Sequence, residues 1–99
     1  EVYEQAYALA AIGEARLVLG EREAGCRNQS AAAALLPQVG LPWHRGGILV
    51  HLAAGRLLRG DVACALAAAG EATALAEAED LREVRAQGLK IQERALREK

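Results

Sequence analysis

One stretch of this chain matches another forty residues further on, without a gap. Arg16-Leu17-Val18-Leu19-Gly20-Glu21 lies against Arg56-Leu57-Leu58-Arg59-Gly60-Asp61. At the same offset Tyr3 pairs with Trp43, Leu9 with Leu49, Ala10 with Val50, Ile12 with Leu52, and Leu35 with Leu75. A fixed period constrains a fold more than local propensity does, because every copy must adopt one structure and offer its neighbour one face. Ninety-nine residues hold two copies and a remainder. The chain is therefore read as a single domain, 1–99, and not as two independent cores.

Each copy reads as a helical hairpin. The first helix spans about Val2 to Leu19, rich in Ala, Leu and Glu and free of proline. Gly20 stops it, because glycine takes the left-handed C′ conformation without a Cβ penalty. Glu21 and Glu23 then place negative charge at the start of a second helix, which runs to about Leu36 and stops at Pro37. Pro37 to Pro42 is a turn with two prolines. In the second copy a helix from Trp43 reaches Arg59, whose cation faces the last carbonyls, and Gly60 ends it. Asp61 is a good N-cap for a helix from Val62 to about Ala78. Asp80 is expected to cap a fifth helix, Leu81 to about Arg97, with an apolar stripe of Leu81, Val84, Gly88, Ile91 and Ala95.

Composition says how such hairpins must pack. Hydrophobic residues make up 53% of the chain, yet aromatic residues are 3%, with no Phe and no Met. The core is then Ala and Leu, thin, and made of helices in close approach. Small residues such as Gly13, Gly25, Ala32, Gly55, Ala65 and Ala72 allow helix axes at the short end of the ~8–10 Å range. One hairpin alone cannot cover its apolar surface; a second stacked on it continues the core. Surface scaling puts the folded chain near ~5,400 Å² of accessible area. The fifth helix departs from the pattern, with Glu83, Gln92 and Arg97 where the repeats carry large apolar residues. Its charged face suits a cap turned to water, with i,i+4 pairs Glu93–Arg97 and Arg94–Glu98 adding a few tenths of a kcal/mol each.

Much is excluded. A net charge of −1 argues against a nucleic-acid surface. No window is long and apolar enough for a membrane span. The opening Glu1-Val2-Tyr3-Glu4 has no signal-peptide character, and with no initiator Met the chain is expected to be a piece of a longer, cytoplasmic protein. Ten of its twelve basic residues are arginine, which with the Ala and Gly content suggests a GC-rich bacterial genome. Cys26 and Cys64 are expected as buried free thiols. His44 and His51 are seven apart, about 10 Å along a helix, which is the wrong spacing for a zinc pair, so no metal and no cofactor is expected. Ser30, the only serine, has no base beside it in sequence, and Gly46-Gly47 lacks the spacing and lysine of a phosphate loop. No enzyme is expected.

With these features the chain resembles the tetratricopeptide repeats, helical hairpins with small residues at set positions. Leu9, Ile12 and Gly13 match the family's large-large-Gly opening, Gly20-Glu21 its inter-helix turn, Gly25 and Ala32 its small positions, and Pro37 its closing proline. Leu49, Leu52, Ala53, Gly60-Asp61, Ala65 and Ala72 fall at the same places in the second copy. The period is longer than the family's 34 residues, Arg16 and Arg56 replace its tyrosine, and Glu77 stands where a second proline belongs. The resemblance implies an all-α fold, a short right-handed α-solenoid of antiparallel hairpins, about 2–36 and 43–78, with a capping helix at about 81–97. It further implies a protein–protein interaction scaffold of the kind found in the repeat regions of large bacterial transcriptional and signalling regulators. The expected partner is a protein segment, another domain of the parent protein, or a second copy of the chain.

The residues expected to meet a partner are Tyr3, Tyr7, Arg16, Trp43, Val50, His51 and Arg56. Arg16 and Arg56 recur at equivalent positions and either pair with nearby carboxylates or share a groove that grips an acidic ligand. Tyr3, Tyr7 and Trp43 cluster near one end of the first helices, as core residues or as interface anchors. Two other readings stand beside the scaffold. One is a small-molecule sensor with a pocket around Gly46, Gly47 and Gly55, lined by Tyr7, Trp43 and Val50. The other is an oligomerisation element pairing through the fifth-helix stripe.

Overall fold

Gly20 and Gly60 carry φ values of +84° and +83°. Behind each, the same two hydrogen bonds close the helix: Gly20 N–H to Leu17 O and Glu21 N–H to Arg16 O, then Gly60 N–H to Leu57 O and Asp61 N–H to Arg56 O. These are Schellman turns, forty residues apart. In the computed structural model, which describes residues 2–98, the helices are α1 (Val2–Val18), α2 (Arg22–Leu35), α3 (Pro42–Leu58), α4 (Val62–Glu79) and α5 (Arg82–Arg97). There is no strand among the described residues.

The ends differ from expectation for local reasons. Pro37 tightens the end of α2 into a 3-10 turn, Leu36–Gln38. Pro42 opens α3 at its first position, where a missing N–H costs nothing. Glu77 can continue a helix where Pro37 cannot, so α4 runs four residues further than its counterpart. Asp61 caps α4 by accepting from the Cys64 N–H at 3.2 Å, and its hydrogen bonds with Cys64 hold its carboxyl below the usual range. Asp80 is not the cap of α5. It sits in the left-handed region (φ 55°) as the C′ residue of α4, with Leu81 N–H reaching back to Ala76 O. A third left-handed helix end thus forms on a residue with a Cβ, with the N–H groups of both Asp80 and Leu81 directed at Ala76 O. Asp80→Gly is therefore expected to stabilise the protein by roughly 0.5–1 kcal/mol, read as a rise in the urea midpoint with unchanged slope.

Packing places α3 at the centre. It lies against α1, α4 and α5 and only grazes α2, while α1 pairs with α2 and α4 with α5. The thinnest dimension, 17 Å, is two helices deep. Burial repeats with the sequence: Ala6 and Gly46, Ala10 and Val50, Gly13 and Ala53, Gly25 and Ala65, and Ala32 and Ala72 are all buried. One core cluster joins Ala6, Ala10, Ala32 and Val39 to Ile48 and Leu52. The other joins Leu49, Val50, Ala53, Ala68, Ala69 and Ala72 to Ile91. The only large side chains that are fully buried among the described residues, Ile48 and Leu52, belong to α3. The first hairpin thus buries its alanines beneath side chains of the second.

Two corrections concern burial. Ile12, the counterpart of Leu52, is 47% exposed, because none of the described residues lies on the side of α1 that corresponds to α1's position on α3. Cys64 is exposed, in the first turn of α4 on its outer side, and Cys26 is half-buried, with Arg59 Nη1 reaching its sulfur at 3.8 Å. Such apolar exposure keeps the accessible surface at 5651 Å², slightly above the scaling value of ~5,400 Å².

Candidate functional site

Tyr3, Tyr7 and Glu14 fall on one side of α1, and His44 and His51 on one side of α3. The two helices run parallel, one repeat apart, so these side chains meet in sequence order. The His44 ring stacks on Tyr3 at 3.6 Å and 10°, with Trp43 beside it at 4.5 Å and 30°. Further along, His51 meets the edge of Tyr7 at 5.0 Å and 89°. His51 Nδ1 is 2.6 Å from Glu14 Oε1, and Nε2 is 3.2 Å from the Tyr7 hydroxyl. A carboxylate only accepts, so Nδ1 carries a proton, and in the neutral ring Nε2 accepts from Tyr7. Glu14 and Tyr7 therefore fix the imidazole from both sides and tie α1 to α3.

Past His51, α3 is open to solvent between α1 and α5. Two adjoining hollows, about 200 and 250 Å³, share Glu14, Ala54, Ile91 and Arg94. Val50, His51, Gln87 and Lys90 complete the first; Val18, Leu57, Leu58 and Glu98 complete the second. Together they make a groove with an apolar floor on α3, a wall of Glu14 and His51 on one side, and Lys90 and Arg94 on the other. Lys90 and Arg94 form no ion pair among the described residues, whereas Arg97 is held by Glu93 at 3.2 Å and Arg85 by Glu77 at 3.4 Å. A third, wider cleft of about 760 Å³ lies where α1 and α3 begin, among Val2, Tyr3, Val39, Leu41 and His44.

Five of the seven residues named from sequence lie along this α1–α3 side: Tyr3 and Trp43 beside the wide cleft, Tyr7 and His51 where the helices are tied, and Val50 in the groove floor. The two arginines lie elsewhere. Arg16 Nη1 donates to Asn28 Oδ1 at 2.7 Å, and Arg16 Nε is 3.8 Å from Glu21, so it serves its own hairpin. Arg56 lines a small crevice of about 50 Å³ with Gln29, Ser30, Leu52 and Arg59. Four residues of the site were missed: Glu14, His44, Lys90 and Arg94. The histidines did share a helix face in the sequence, but their partners stand on α1, not on each other. Lys90 reads in the sequence as surface charge alone, and Arg94, expected to pair with Glu98, forms no such ion pair among the described residues.

The glycines of α3 do not leave a pocket. A Cβ on Gly46 would meet Val84 at 3.0 Å, one on Gly47 would meet the Tyr7 ring at 3.4 Å, and one on Gly55 would run into the Gln29 amide. Each gap is filled by a neighbouring side chain. The α5 stripe is likewise spent inside the chain, with Gly88, Ile91 and Ala95 buried and Val84 packed on the second core cluster. Among the described residues no three His, Cys, Asp or Glu side chains gather where a metal ion could sit, and no helix is long and apolar enough to cross a membrane. The chain matches no protein-family model, and no curated protein or solved structure is similar to it at a significant level.

Proposed function

We propose that this domain is a non-catalytic interaction scaffold, a short right-handed α-solenoid of two tetratricopeptide-like hairpins and a capping helix, which binds a protein segment along α3. The groove between α1 and α5 carries the reading. Its floor of Val50, Ala54 and Ile91 offers apolar contact, and the unpaired Lys90 and Arg94 beside it offer charge. Binding sites of this kind combine an apolar centre with a polar rim. Supporting the solenoid is the meeting of α1 with α3 through residues about one repeat apart, Tyr3 with His44 and Tyr7 with Gly47. The segment comes from another domain of a parent regulator or from a separate protein, as the family resemblance implies.

An array of immobilised decapeptides of varied composition tests this. A defined subset is expected to bind the labelled chain, and Ala54→Arg, which fills the groove from its half-buried floor, is expected to weaken that binding at least tenfold while leaving the helical circular-dichroism spectrum unchanged. An array on which nothing binds, or binding indifferent to Ala54→Arg, contradicts the reading.

A further inference from the structure

Ile48, Leu52 and Gly55 on α3 and Arg59 at its C-terminal cap follow one another at steps of four, three and four. All four face the first hairpin. Ile48 and Leu52 share a core cluster with Ala6, Ala10 and Ala32, Gly55 lies against the Gln29 amide, and Arg59 Nη1 donates to Cys26 Sγ at 3.8 Å. One repeat earlier these positions are Ala8, Ile12, Ala15 and Leu19. All four are exposed, Ile12 by 47% and Leu19 by 72%. The chain therefore shows both the uncovered face and, on α3, what covers that face when a neighbour is present.

The opposite end of the chain is built differently. A helix receives its successor at Ala6 and Ala10 on α1, and at Gly46 and Val50 on α3, where Val84 and Ile91 of α5 sit. The counterparts on α5 are Ala86 and Lys90, both exposed. A lysine there resists burial, so α5 closes its end of the chain while α1 leaves the other end apolar.

We propose that the Ala8–Ile12–Ala15–Leu19 face of α1 is an interaction surface for a further helical hairpin of the same repeat type. That hairpin would present small apolar residues, the counterparts of Ala6, Ala10 and Ala32, and Ile12 would fill the place against it that Leu52 fills against those alanines. A second copy of the chain is a poor occupant, because both of its small-residue faces lie covered, one beneath α3 and the other beneath α5. This surface is separate from the groove and does not depend on it.

The test joins a second copy of residues 1–40 directly ahead of the complete chain, which preserves the period. The longer protein is expected to unfold in one cooperative step, with a melting midpoint about 5 °C or more above that of the 99-residue chain. Ile12→Glu with Leu19→Glu, placed in the original copy, is expected to abolish that rise. The same pair in the 99-residue chain should move its midpoint by no more than about 2 °C, because both positions are exposed there. The proposal is overturned if the added hairpin unfolds in a separate step, or if the glutamates leave the longer protein unchanged. It is also overturned if light scattering shows the 99-residue chain as a dimer that the glutamates dissociate, since the face then belongs to a second copy.

Discussion

Gly55→Ala is expected to cost about 2 kcal/mol, and a second substitution, Gln29→Ala, to cancel that cost. Gln29 is 4% exposed, and its Nε2 donates to the carbonyls of Ala10 at 2.9 Å and His51 at 3.0 Å, fastening α2 to both α1 and α3. The amide occupies the place a Cβ on Gly55 would take, so an added methyl must push it aside and break its two hydrogen bonds. Overpacking of this kind costs about 1–3 kcal/mol, which outweighs the gain of about 1 kcal/mol from replacing a helical glycine. Gln29→Ala alone removes two hydrogen bonds and leaves a void, a loss of about 3 kcal/mol. The double variant gives the first junction the residues that the chain already uses one repeat on, Ala69 and Ala95, both fully buried. Urea unfolding of the four proteins should therefore show a coupling of about 2 kcal/mol, with the double variant no less stable than Gln29→Ala. Additive losses would mean that the two junctions are not built alike.

The crossing of α1 and α2 should be as sensitive. A Cβ on Gly25 would lie 2.9 Å from the Gly13 carbonyl oxygen and 2.8 Å from Leu17 Cγ; one on Gly13 would lie 2.9 Å from the Gly25 carbonyl oxygen. Each glycine thus faces the other's backbone, which cannot rotate aside as a side chain can. Gly25→Ala is expected to lower stability by about 2 kcal/mol, a fall of roughly 10 °C in the melting midpoint. The second hairpin carries Ala53 and Ala65 at these places, both fully buried, so the α3–α4 crossing already accommodates two methyl groups. Ala65→Gly should accordingly cost only about 1 kcal/mol, the difference in helix propensity. A Gly25→Ala protein that melts at or above the parent temperature would show that α1 and α2 are not held at this distance.

The fold was legible because its turns and its packing use the same period. Gly20 and Gly60 mark helix ends because glycine takes the left-handed conformation without a Cβ penalty, and Ala10, Ala32 and Ala72 mark close contact by size. Asp80 was misread because aspartate serves both as an N-cap and, less often, as a left-handed C′ residue, and only the path of α4 past Glu77 decides between them. The site was legible where it reuses the period and opaque where it joins different elements. Tyr7 and His51 could be named, but their link to Glu14 depends on the rotation of α1 against α3, which no spacing within one helix reveals. Lys90 and Arg94 look like any charged pair on a surface helix until α5 is placed beside the open side of α3. Gln29, a polar residue in an alanine-rich helix, gave no sign that it would be buried, since the space for it comes from Gly55 on another helix.

If each hairpin depends on its neighbour, a hairpin removed from the chain should not fold. The buried residues of the first are mostly small, and the large side chains packed with its Ala6, Ala10 and Ala32, Ile48 and Leu52, come from α3. Circular dichroism of a peptide covering residues 1–40, melted beside the complete chain, measures this directly. The peptide is expected to show weak helicity that fades gradually with temperature, while the complete chain melts in a single sharp transition. A sharp, cooperative transition in the isolated peptide would contradict the dependence of one hairpin on the next.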